Sequence, residues 1–130
     1  MASIFTKIVK GEIPCYKIAE TDDYLAFLDI RPRTRGHALV ITKEEIDYLF
    51  DLRDELYMGL HLFAKEIARA IEKTVECKRI ATAVVGLEVP HCHLHLIPIN
   101  EIADFSFEGP HLEMSSQELS ALAESIAKNL

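Results

Sequence analysis

The segment His91-Cys92-His93-Leu94-His95-Leu96-Ile97-Pro98 constrains this chain more than any other. Along an extended strand, side chains alternate between faces. The three imidazoles therefore share one face, while Cys92, Leu94 and Leu96 point the other way, into a core. One histidine in such a place is ordinarily a hydrogen-bonded structural residue. Three in strict alternation, flanked by core residues, need a chemical explanation.

Two chemistries compete. Zinc takes three or four nitrogen or sulfur ligands, and histidines at i and i+2 can share an ion. At ~3.3 Å rise per residue, however, the outer two Cα atoms lie ~13 Å apart, so three rings do not converge on one ion. A two-histidine site would need further ligands from His37, His61, His111 or carboxylates. In the second chemistry the row is a phosphoryl-transfer surface. Neutral imidazole is a competent nucleophile near neutral pH. A middle histidine can attack phosphorus while its neighbours donate hydrogen bonds to the non-bridging oxygens and hold its tautomer. The length that hinders a metal site suits an extended phosphate-bearing ligand, and this reading is preferred.

The rest of the chain supplies the sheet such a strand needs. Ser3 to Val9 reads as a short helix or packed arm, interrupted by Gly11 and Pro14. Tyr16–Ala19 and Tyr24–Leu28 read as strands joined by a turn over Thr21, Asp22 and Asp23. A loop from Asp29 to Gly36 leads into a third strand, His37–Ile41. Thr42 and Glu45 have capping-box spacing ahead of a short helix near Ile46–Phe50. Asp51 is placed to cap the longest helix, which runs to about Glu76 and repeats Leu56, Leu60, Phe63, Ile67 and Ile71 at three- and four-residue steps. Arg79–Val85 and His91–Ile99 are the fourth and fifth strands. Ser115 and Glu118 open a C-terminal helix with Leu119, Leu122, Ile126 and Leu130 on one stripe. The expected fold is α+β: a five-stranded antiparallel sheet with a long central helix and a C-terminal helix. A chain of 130 residues without a repeat or linker reads as one domain, residues 1–130. No Gly-rich strand-to-helix phosphate loop is present.

The formal charge of −7, from 14 Lys and Arg against 21 Asp and Glu, disfavours a nucleic-acid partner. A small anion is still admissible, because Arg31, Arg33 and Arg35 gather just before His37; the alternative is a solvated basic loop. Cys15, Cys77 and Cys92 are an odd, scattered set, as expected of free thiols in a reducing compartment. With no membrane-length apolar run and no signal-like N-terminus, a cytoplasmic protein without a membrane partner is expected.

His91–Ile97 matches, at every position, the His-φ-His-φ-His-φ-φ motif of the histidine triad family, with φ apolar. Two further blocks resemble that family: Asp29-Ile30-x-Pro32-x-x-x-Gly36-His37-x-Leu39-Val40-Ile41-x-Lys43, and Ile4-Phe5-x-Lys7-Ile8-Val9 followed by Glu12-Ile13-Pro14. The family core so defined covers roughly residues 3–100, with a helical extension at about 115–130. The resemblance implies that His93 forms a covalent nucleotidyl-histidine, hydrolysed by water, while His91 and His95 orient it and stabilise phosphate oxygens. It implies that His37 completes the site, that Asp29 binds the ribose hydroxyls, and that Ile4, Phe5, Ile8, Phe27, Leu28 and Ile30 wall the purine. For those six, core packing without ligand contact is an equally open reading. The implied substrates are purine nucleoside phosphoramidates or dinucleoside polyphosphates, with no cofactor; no metal is expected either, because Ser3, Thr6 and Glu45 stand where zinc-binding relatives carry ligands. The implied assembly is a two-fold homodimer using the long helix. The retained His95 favours hydrolysis over nucleotidyl transfer, since transferases of this type usually carry Gln there.

The departures are specific. Many relatives carry Cys where Ser3 and Thr6 stand and His where Glu45 stands, residues that help bind a structural zinc. Before the triad, Gly86-Leu87-Glu88-Val89-Pro90 replaces a usual Gly-Gln-x-Val-x, and the preceding Asn-bearing loop is shortened. Leu87 cannot hydrogen-bond a departing group, so polyphosphate leaving groups are expected to fare worse than amines. A nucleotide-binding protein with weak turnover and an interaction role is the alternative.

Overall fold

Two faces of one sheet carry different work, and strand parity decides which residue does which. The computed structural model describes residues 1–130. Its strands are β1 (Lys17–Glu20), β2 (Tyr24–Leu28), β3 (Ala38–Thr42), β4 (Arg79–Ala83) and β5 (His93–Ile99). All pair antiparallel in the order β1-β2-β3-β5-β4. The helices are α1 (Ile4–Val9), α2 (Asp54–Thr74) and α3 (Ser116–Lys128). No helix is long and apolar enough to cross a membrane.

One sheet face presents Ala26, Leu28, Ala38, Val40, Leu94 and Leu96 to α2 and α3. From α2 come Leu56, Leu60, Phe63, Ile67 and Ile71, the stripe its periodicity predicts. From α3 come Leu119, Leu122 and Ile126; Leu130, placed on that stripe from the sequence, lies beyond the helix and is exposed. The opposite face gathers Leu25, Phe27, Leu39 and Ile41 with Phe5 of α1 in a smaller cluster. In the register of β3 and β5, Leu39 pairs with His95 and Ile41 with His93, so both imidazoles stand on this second face.

Gly59, in mid-α2, answers to a close approach. The Tyr24 hydroxyl donates to the Leu56 carbonyl at 3.0 Å, and a Cβ on Gly59 would sit 2.0 Å from that hydroxyl oxygen. Gly59→Ala should therefore destabilise the fold by about 1–3 kcal/mol through overpacking, although alanine is the better helix former by ~1 kcal/mol. Urea denaturation checks the sign; a stabilised variant would mean that Tyr24 moves aside freely.

Three local expectations are corrected. Thr42 and Glu45 do not form a capping box: Thr42 Oγ1 donates to the Glu44 carbonyl, while Glu45 is engaged by Ser3 and Thr6. The expected short helix there is only a 3-10 turn, Leu49–Asp51. The N-cap of α2 is Arg53 in extended backbone, without a side-chain cap, and Asp51 belongs to that turn. Ser115 and Glu118 do form the reciprocal box at α3.

Candidate active site

The sheet's second face carries no long helix, only the short α1 and loop residues such as Val89 and Phe107, and this leaves a cavity of about 370 Å³. Ile4, Phe5, Ile8, Phe27, Leu28, Asp29, Ile30, His93 and His95 all border it, as do Ile13, Pro14, Cys15, Arg31, Leu39, Glu88 and Val89. The volume falls in the range of small-molecule sites, mostly apolar with a few convergent polar groups. Leu28 only edges the cavity, since its side chain packs into the larger core beneath the helices. Phe27 has the opposite parity and faces the site.

β5 begins at His93, so His91 lies just before the strand and not within it. A tight turn, in which the His91 N–H donates to the Val89 carbonyl at 2.8 Å, replaces the pleat there. The ring of His91 is fully buried. Its Nε2 lies 2.7 Å from the Thr42 carbonyl and its Nδ1 lies 2.7 Å from Ser3 Oγ. A carbonyl only accepts, so Nε2 carries the proton and Nδ1 accepts from the Ser3 hydroxyl. Burial is the main cause that holds this imidazole below its ordinary pKa, consistent with that neutral tautomer.

His93 Nδ1 lies 2.7 Å from the His91 carbonyl oxygen and must donate to it. In the neutral ring this leaves the lone pair on Nε2. That nitrogen has no partner in the chain, yet no buried side-chain polar atom is unsatisfied, so it opens to the cavity. Phe5 sets its ring edge 5.0 Å, centroid to centroid, from His93.

A second tautomer chain fixes His95. The Arg33 N–H donates to His37 Nδ1 at 3.0 Å. His37 Nε2 must then carry the proton, and it donates to His95 Nδ1 at 3.0 Å. The remaining proton of neutral His95 is on Nε2. Burial, followed by neighbouring positive charge, lowers His37 to about 3 and His95 to about 4. Both are therefore neutral at neutral pH, and His95 is a hydrogen-bond donor without net charge. Asp29 Oδ2 is 3.6 Å from His37 Nε2, and Asp29 Oδ1 accepts from the Arg31 N–H at 2.8 Å. Desolvation raises the Asp29 pKa.

Asp29, His37 and His95 bring ligand-type atoms within 4.8 Å of one another. A cation there would need the His37 Nε2 lone pair, but the Arg33 N–H already occupies Nδ1 and forces the proton onto Nε2. The tautomer order thus opposes an ion at this cluster. Ser3, Thr6 and Glu45, where the family resemblance leads one to expect zinc ligands, also do not fit zinc. Two neutral hydroxyls replace soft donors, and both are spent in hydrogen bonds to Glu45 and His91.

One feature had no signal in the sequence. The Arg33 guanidinium is not simply solvated: it donates to the carbonyls of Phe107 and Gly109 at 3.0 Å each. The strap so held sets Phe107 4.8 Å from His95, centroid to centroid. Nothing near Arg33 announces a partner more than seventy residues away. Leu39 was legible in principle, since it shares the parity of His37 and Ile41.

The model of the HIT domain matches residues 10–102. The chain is 39% identical over 132 residues to adenosine 5'-monophosphoramidase hnt1 of Schizosaccharomyces pombe, covering 100% of this chain and 99% of that protein. Among solved structures it resembles a Hit-like protein from Bartonella henselae, with a TM-score of 0.86 and 29% identity over 98% of this chain and 96% of the other. It also resembles a zinc-bound histidine triad family protein from Mycobacterium smegmatis, with a TM-score of 0.82 and 30% identity over 98% and 95%. With its motif and its sheet in agreement with these matches, the chain belongs to the histidine triad, or HIT, family and is a hydrolase.

Proposed function

We propose that the protein hydrolyses purine nucleoside phosphoramidates, and more slowly dinucleoside polyphosphates, at the α-phosphate through a nucleotidyl-His93 intermediate. The observation that carries this is His93 itself. Its Nδ1 proton is committed to the His91 carbonyl, so Nε2 faces an apolar cavity with its lone pair free. The name of the Schizosaccharomyces pombe relative, a monophosphoramidase, agrees with this reading. Nε2 attacks phosphorus as the bond to the leaving amine breaks, and the amine takes up a proton from solvent. Water then cleaves the His93–phosphorus bond and returns the ring to its starting tautomer. The His95 Nε2–H is placed to stabilise charge on a phosphoryl oxygen. Asp29 offers its free carboxylate oxygen to a ribose. Ile4, Phe5, Ile8, Phe27 and Ile30 offer apolar walls to a purine.

The leaving-group preference follows from Leu87 and Glu88. Leu87 is 88% exposed and offers no donor, while Glu88 borders the cavity. A carboxylate within ~4–6 Å of a departing polyphosphate opposes it by ~1 kcal/mol or less at an exposed position. Rates on adenosine 5'-phosphoramidate and a diadenosine polyphosphate, compared in wild type, Leu87→Gln and Glu88→Gln, test both the reaction and its preference. At least one substitution is expected to raise the relative polyphosphate rate by a few fold; failure of both would remove these residues from substrate selection, and no turnover of either compound by wild type would remove the function.

The same proposal includes a two-fold homodimer in the cytoplasm. Met58 and Leu62, one turn apart on α2, are exposed, as are Tyr48 and Phe50 just before it. A symmetric pairing would bury them. The three free thiols suit a reducing compartment. Light scattering at micromolar concentration should give twice the chain mass; a monomer would refute the dimer.

A further inference from the structure

We propose that Ser3, Thr6 and Glu45 form a metal-free clasp that positions His91 and, through the His91 carbonyl, the ring of His93. The inference rests on His93 being the nucleophile. Ser3 is buried, and it lies 88 residues from His91 and 42 from Glu45 along the chain. The hydrogen bonds among these groups close on themselves. Glu45 Oε1 accepts from the Ser3 N–H and from the Thr6 hydroxyl, each at 2.6 Å. Ser3 Oγ accepts from the Thr6 N–H at 3.0 Å and gives its own proton to His91 Nδ1 at 2.7 Å. His91 then has only Nε2–H to give, and gives it to the Thr42 carbonyl at 2.7 Å.

The Ser3 and Thr6 hydroxyl oxygens also lie 3.3 Å apart, and Thr6 Oγ1 lies 3.4 Å from His91 Nδ1, but each hydroxyl has one proton and gives it to the shorter contact, so the direction of each bond follows from the one before it. The carboxylate fixes the two hydroxyl-bearing residues. The Ser3 hydroxyl fixes the His91 tautomer, and Nδ1 and Nε2 together hold the ring at both ends. The residue so anchored supplies the carbonyl that holds the Nδ1 proton of His93 at 2.7 Å. Helix α1 has six residues, too few to be stable alone. The clasp ties its first turn to the segment after β3 and to the turn before β5, while Phe5 rests against the His93 ring. Ser3 is thus a positioning residue: it touches neither the cavity nor the reacting atoms, and it acts through His91.

The clasp performs with hydrogen bonds the anchoring that thiolates and an ion would otherwise provide. A hydroxyl lost from a buried donor–acceptor pair leaves His91 Nδ1 unsatisfied, and its ring is then free to turn or to change tautomer. Misplacement of an attacking atom by a fraction of an ångström to 1 Å is enough to slow a reaction by about ten- to a hundredfold.

The experiment joins ring-nitrogen NMR of His91 and His93 to steady-state kinetics on adenosine 5'-phosphoramidate and to elemental analysis. It compares wild type, Ser3→Ala, Glu45→Ala and Glu45→Gln. Wild type should be free of zinc and indifferent to chelator, with His91 protonated at Nε2 and His93 at Nδ1. Ser3→Ala and Glu45→Ala should lower kcat by about tenfold or more with KM within about twofold, and should mix the His93 tautomers. Glu45→Gln keeps an acceptor oxygen and should restore both readouts. If Ser3→Ala does not fold, the exposed Glu45 pair decides. Near-stoichiometric zinc, or unchanged kcat and tautomers in Glu45→Ala, would overturn the clasp. The tautomer spectra judge the clasp without reference to turnover, so an inactive wild type would remove the proposed function and leave this result readable.

Discussion

Replacing His93 by alanine should lower turnover by about a thousandfold or more while nucleotide affinity stays within about tenfold. The asymmetry comes from where the residue acts. The walls of the cavity are built by Phe5, Phe27 and Ile30 from other elements and remain in place. His93 contributes a lone pair that matters only as the bond to phosphorus forms, so its loss falls on the barrier and not on binding. Pre-steady-state or steady-state rates, paired with calorimetric binding of a nucleoside monophosphate, check both halves. A residual rate above a few per cent of wild type would show that another group attacks. A wild type that binds but barely turns over would favour the nucleotide-binding alternative.

A second large effect is expected in the dependence of stability on acidity. His37 and His95 stay neutral in the fold, with pKa values lowered to about 3 and about 4, against 6.5 in an unfolded chain. Below pH 6.5 the unfolded chain therefore takes up protons that the folded chain refuses. The sign follows: this contribution is complete above pH 6.5 and is lost as pH falls toward 4. Two such groups can remove up to about 2–3 kcal/mol per pH unit in that window. Urea melts at pH 7, 6 and 5 should show the slope. His37→Asn, which keeps an acceptor for the Arg33 N–H, should flatten it by roughly half. An unaltered slope in that variant would mean that the histidine pair is not the origin.

The sheet was readable because its physics is local. Alternation along residues 93–96 put Leu94 and Leu96 on one face and the imidazoles of His93 and His95 on the other, and the β3–β5 register follows that parity. The long helix was readable from its stripe. What the sequence hid depends on distant partners. Thr42 and Glu45 have the spacing of a capping box, but Ser3 and Thr6, remote in sequence, take the Glu45 carboxylate. His91 shares the triad's spacing but lies in a turn, and its ring bonds Thr42 and Ser3 while the rings of His93 and His95 border the cavity. The Arg33 strap over Phe107 arises from a loop-to-loop bond that no periodicity encodes. The composition of the site was thus legible from the triad and the Asp29 to Lys43 block, whereas its tautomers needed coordinates, since they are set by single backbone groups such as the Arg33 N–H.

Turnover through His93 requires that its Nε2 become bonded to phosphorus. The direct measurement is rapid-quench peptide mass spectrometry of the protein mixed with adenosine 5'-phosphoramidate, with the quench kept alkaline because phosphohistidine-type bonds are acid-labile. One nucleotidyl group is expected on His93, formed and lost no more slowly than turnover and missing in His93→Ala. Full-rate hydrolysis without an adduct, or an adduct carried by His91, His95 or His37, would contradict it.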